Sequence, residues 1–109
     1  MSFSKKLIAL ANHLVRDKDF RIIELHTGEA TLKVNEDKKA NTELLLKISV
    51  GSAGLSTFKL EFRAKARICN HLTRFRWNTE ISYKHMEDIM SWIDASILFF
   101  SKVAITEEL

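Results

Sequence analysis

The sequence predicts an α+β domain of order α-β-β-β-β-(β)-α, an antiparallel sheet with the N- and C-terminal helices on its apolar face. Three observations predict it. Apolar residues recur at helical spacing near the start (Leu7, Leu10, Ala11, Leu14) and again near the end (Met86, Met90, Ile93, Ile97, Phe100, Ala104). Between them residues 58–67 alternate without a break, with Phe58, Leu60, Phe62, Ala64 and Ala66 on one side of the pleat and Lys59, Glu61, Arg63, Lys65 and Arg67 on the other. The 109 residues include three Gly and no Pro, which leaves little material for linkers or low-complexity segments, so one compact domain over 1–109 is expected.

Each element has its own signal. Phe3 and Ser4 read as a staple residue and an N-cap ahead of a helix over 5–16. Residues 20–26 are rich in β-branched and aromatic side chains and form a first strand, and Thr27-Gly28 supplies a tight turn with a residue tolerant of positive φ. In a second strand over 30–35, Ala30, Leu32 and Val34 alternate with Thr31, Lys33 and Asn35. The polar run 36–41 is a loop. Leu44, Leu46, Ile48 and Val50 are the inward set of a third strand, and residues 51–54 (GSAG) turn the chain into the fourth. After a bend at Cys69-Asn70, Thr73, Phe75 and Trp77 alternate with Arg74 and Arg76, in a short fifth strand or a bent continuation of the fourth. The last helix is expected over 82–104, its acidic residues toward the first half in keeping with the helix dipole.

The apolar arc of that helix is wide. It approaches half the circumference, against the ~100° a surface helix needs. Ile89, Trp92, Phe99 and Val103 are therefore candidate interface residues, and a homodimer through the C-terminal helix is the expected assembly.

A lone Cys69 permits no intramolecular disulfide, which favours a reducing compartment and a cytoplasmic location. Residues 7–11 are too short for a signal-peptide core, and the apolar run 97–100 falls far short of ~30 Å of hydrocarbon, so no membrane partner is expected.

Catalytic chemistry leaves little trace. Cys69-x-His71 is the closest sulfur and imidazole pair, whereas a zinc site wants four ligands; a buried thiol beside a surface histidine is the plainer expectation. Glu87 and Asp88 are adjacent on a helix and so point about 100° apart, poor geometry for acid and base work. Residues 51–54 lack the Gly-Lys-Ser/Thr that completes a phosphate-cradling loop. A non-enzymatic protein with no metal and no cofactor is expected.

The net charge of +3 conceals a strong segregation. Residues 1–57 carry +2, residues 58–77 carry +5 and residues 78–109 carry −4. Lys33, Lys47, Lys59, Arg63, Lys65, Arg67, Arg74 and Arg76 fall on the strand face opposite the apolar set and are the candidate nucleic-acid-binding residues. Because Phe58, Phe62, Phe75 and Trp77 take the other face, the contacts expected are with phosphate rather than stacked bases, and sequence specificity is expected to be weak. The competing class is a protein-binding module, such as an adaptor, a chaperone-like subunit or an inhibitor encoded by a virus or mobile element. It would use the broad apolar helix, or turn the basic face on an acidic protein surface, since arginines suit carboxylates as well as phosphates.

Overall fold

A computed structural model describes residues 3–34, 42–52 and 54–106. The elements are α1 (Phe3–Asp17), β1 (Phe20–His26), β2 (Glu29–Val34), β3 (Glu43–Gly51), β4 (Gly54–Ile68), β5 (His71–Ser82) and α2 (Met86–Thr106). The strands form one antiparallel sheet in the order β1-β2-β3-β4-β5, each paired with its neighbour in sequence. The expected 36–41 loop, Asn35 and the Ala104 side chain lie outside the described residues.

The meander follows from the alternation. Leu44, Leu46 and Ile48 of β3 and Phe58, Leu60, Phe62, Ala64 and Ala66 of β4 are all 4% exposed or less, joined on the same face by Ala30, Leu32 and Val34 of β2. α1 covers this face over β1 to β3 and α2 covers it over β4 and β5. Leu7, Leu10, Ala11 and Leu14 are the buried stripe of α1, and Ile89, Ile93, Ser96 and Phe100 that of α2. Lys18 at the end of α1 reaches Asp94 of α2, 3.2 Å away. β4 is fifteen residues long, about 50 Å at ~3.4 Å per residue, and it sets the long dimension of the molecule, 47 Å.

An aromatic cluster joins α2 to the β4–β5 hairpin. The ring of Phe62 lies 5.4 Å from those of Trp77 and Trp92, and Phe99 stands edge-on to Trp77, also at 5.4 Å. The indole N–H of Trp77 donates to the Ser96 hydroxyl at 2.9 Å, which satisfies the polar tip of a largely apolar residue.

Five expectations are corrected. α1 begins at Phe3, so Ser4 lies within the first turn and Phe3 packs into the core, 5.3 Å from the ring of Phe58. β5 is a continuous twelve-residue strand, and α2 starts at Met86 rather than residue 82. Ile89 is fully buried against the sheet and belongs to the core, not to an outward interface. Cys69 is exposed, because it occupies the β4–β5 turn instead of a strand interior.

That turn joins the paired residues Ile68 and His71 through Cys69 and Asn70, at φ 51° and 64°. Two positive φ values make the type I′ turn that suits the twist of a hairpin, and a cysteine there is strained where Asn or Gly is not. The double substitution Cys69→Asn/Asn70→Gly is expected to raise stability by about 1 kcal/mol, read as a higher midpoint in urea with an unchanged slope.

The β3–β4 turn is held from β5. Glu80 Oε2 accepts from the backbone N–H of Ser52 at 3.0 Å and from its hydroxyl at 2.7 Å. Gly51 is required beside it, since a Cβ there would fall on the Thr57 hydroxyl. The two bonds from Ser52, side chain first, hold the Glu80 carboxyl below the ordinary 4.5, helped by nearby Lys59. A depressed folded value means the stabilisation is complete above the ordinary glutamate value and is lost as pH falls through the lower one. Glu80→Gln is expected to flatten that acid limb, read from thermal melts taken across pH 2–6, an approximate window.

Candidate cationic sheet face

The sheet face away from the helices carries every cation singled out from the sequence, and strand pairing arranges them in rows. One row crosses all five strands as Arg21, Lys33, Leu45, Arg63 and Arg76. The next, toward the β4–β5 turn, holds Glu43, Lys65 and Arg74, and beyond it Arg67 lies opposite Leu72. At ~4.8 Å between strands the five-strand row is about 19 Å wide. Arg21, which no strand alternation had singled out, completes it.

In the other direction the face changes character. Lys47 lies between Thr31 and Glu61, and Lys59 between Ser49 and Glu80. Lys47 pairs with Glu29 at 3.4 Å, and Lys59 contributes to the lowered Glu80 carboxyl. These two predicted contacts thus stand in a half of mixed charge. In the basic half, Lys33 pairs with Glu43 at 3.5 Å, Arg63 bonds Glu61 at 2.9 Å and Arg67 donates to the Asn70 carbonyl at 3.1 Å. Among the described residues the side chains of Arg21, Lys65, Arg74 and Arg76 have neither an ion pair nor a hydrogen bond.

The arrangement is electrostatically costly. Arg21 faces Lys33, Arg63 faces Arg76 and Lys65 faces Arg74 across adjacent strands, and like charges directly opposite destabilise a sheet. Between β3, β4 and β5 this half forms an open depression of about 570 Å³, lined by Leu45, Arg63, Lys65, Arg74, Arg76 and Glu43. Its chemistry suits an anion: several fixed guanidinium and ammonium groups, one carboxylate at the margin, and Leu45 for apolar contact.

The aromatics fall as the pleat requires. Phe58 and Phe62 are fully buried, and the rings of Phe75 and Trp77 pack together with Phe99 of α2, so the rings take the helix side of the sheet, although Phe75 also borders the depression between Arg74 and Arg76. On α2, Trp92 and Val103 are half-buried and Phe99 is half-exposed. A second, apolar cleft of about 470 Å³ lies between β5 and α2, with Phe75, Trp77, Trp92 and Phe99 among its walls.

Among the described residues no three His, Cys, Asp or Glu side chains are grouped to hold a metal. No described helix is long and apolar enough to cross a membrane. Comparison with known protein families, curated proteins and solved structures found no match.

Arg76→Gln removes one member of a like-charge pair and no attractive contact. It is expected to raise Tm by about 1–3 °C at low ionic strength, and the gain is expected to vanish in about 1 M NaCl, where charges are screened within ~3 Å.

Proposed function

We propose that the protein is a non-enzymatic nucleic-acid-binding protein whose basic sheet face engages the phosphate backbone, working as a homodimer joined on its α2 side. The observation that carries this reading is the row of like charges from Arg21 to Arg76, with Lys65 and Arg74 beside it. Cross-strand neighbours of one sign cost stability unless an anion lies over them. A polyphosphate backbone supplies such charge at regular spacing. Among the described residues the rings of Phe58, Phe62, Phe75 and Trp77 pack on the helix side, which favours phosphate contact over base stacking, hence weak sequence preference.

Leu45 and Leu72, set among the cations, support a second reading in which the partner is an acidic protein surface. The dimer reading rests on Phe99 and Leu98, 50% and 56% exposed on α2.

Retardation of a generic oligonucleotide tests the main reading. With four to six phosphates neutralised, the log–log salt slope is expected at about −3 to −5. The triple variant Arg63→Glu/Lys65→Glu/Arg67→Glu should abolish retardation, while Lys47→Glu in the mixed half should change it little. Retardation by the triple variant equal to that of the native protein overturns the assignment, and selective capture of poly-glutamate over oligonucleotide establishes the acidic-protein reading in its place.

A further inference from the structure

The two edges of the sheet differ in kind. β1 is seven residues long and its pairing with β2 is interrupted between Ile22 and Glu24, a bulge that blunts an edge. β5 is twelve residues long, pairs with β4 without a break, and contains no proline. Its outer row of backbone donors and acceptors is a template for another strand.

We propose that β5 pairs antiparallel with β5 of a second copy about a two-fold axis through Trp77, joining two sheets into one of ten strands. This deepens the dimer part of the reading above and does not depend on polyanion binding. Side chains must keep their faces, so only registers that set like parity opposite like are allowed. Centring on residue 75 or 76 sets arginines against each other, Arg74 on the partner's Arg76 or Arg76 on its own copy. Centring on 78 brings Arg76 to the partner's Glu80 but leaves Leu72 and Thr73 unpaired. Centring on 77 pairs all of 72–82, and it sets Arg74 against the partner's Glu80 and Arg76 against the partner's Asn78, twice each by symmetry.

The chain is prepared for that register. The Arg74 side chain has no partner of its own among the described residues, and both Ser52 bonds to Glu80 fall on Oε2, which holds the carboxylate in place with neither bond on Oε1. On the helix side, Phe99 packs edge-on to Trp77 at 5.4 Å beside the axis. The apolar cleft bounded by Phe75, Trp77, Trp92 and Phe99 therefore meets its own copy across the axis. About ten strand-to-strand hydrogen bonds and this apolar layer form together.

The test is self-association measured by light scattering against dilution. The native protein is expected at twice the 12.6 kDa chain mass, falling toward one on dilution. Arg74→Glu and Glu80→Arg should each weaken association by at least about tenfold, and the double exchange should recover it to within about threefold. Because Glu80→Arg also removes the Ser52 clamp, amide exchange on the native chain provides a second readout. Outward amides over 72–82 should gain protection as concentration rises. A monomer at every concentration, a dimer with freely exchanging edge amides, or a double exchange without rescue overturns the proposal. A monomer that still retards oligonucleotide overturns the pairing alone, and a dimer that retards none overturns the nucleic-acid reading alone.

Discussion

The structure depends on the pleat of β4. This strand is paired on both sides, with β3 from Glu43 to Gly51 and with β5 along the whole of His71–Ser82. Its inward side chains are the floor on which both helices rest, α1 through Phe3 on Phe58 and α2 through Trp92 on Phe62. Strict alternation leaves no freedom for the other half of its residues. Once Phe58 to Ala66 face the core, Lys59, Arg63, Lys65 and Arg67 must face water, and a slip that turned this set inward would bury four cations. Core and cationic face are two consequences of one constraint.

Strand pairing then turns a sequence bias into a local field. The +5 segment spans β4 and most of β5, which run antiparallel, so its charges fold back onto one another instead of trailing along an extended chain. Glu29 of β2, Glu61 of β4 and Glu80 of β5 gather in the other half, beside Lys47 and Lys59, whereas Glu43 of β3 stands among the cations. The sheet face is thus polarised along its strands, with the strong end near the β4–β5 turn.

Much of this is legible in the sequence. The β4 alternation, the stripe of α1 and the turn at Thr27-Gly28 are strong local signals, and each forms where expected. What local pattern does not carry is who lies opposite whom. Alternation puts the eight cations on one face, but only the register separates Lys47 and Lys59 from the rest and adds Arg21. β5 runs beyond its sequence signal because Asn78 and Glu80 have weak strand character, and pairing with the long β4 overrides it. Ile89 was misplaced because an apolar arc this wide offers two credible inward faces; packing under α2 decides between them. Cys69 looked like a core thiol because cysteines usually are, and the I′ turn it occupies lacks the usual Asn-Gly signature.

The aromatic cluster beneath α2 also makes the molecule spectroscopically lopsided. The chain has two tryptophans, and both rings lie 5.4 Å from the single ring of Phe62. Intrinsic indole fluorescence therefore samples the junction of β4, β5 and α2 and is nearly silent about α1 and the β1–β2 hairpin. A melt followed at those wavelengths reports the half of the domain bearing the long hairpin, and only its agreement with a backbone signal such as far-UV dichroism would establish that both halves unfold as one cooperative unit.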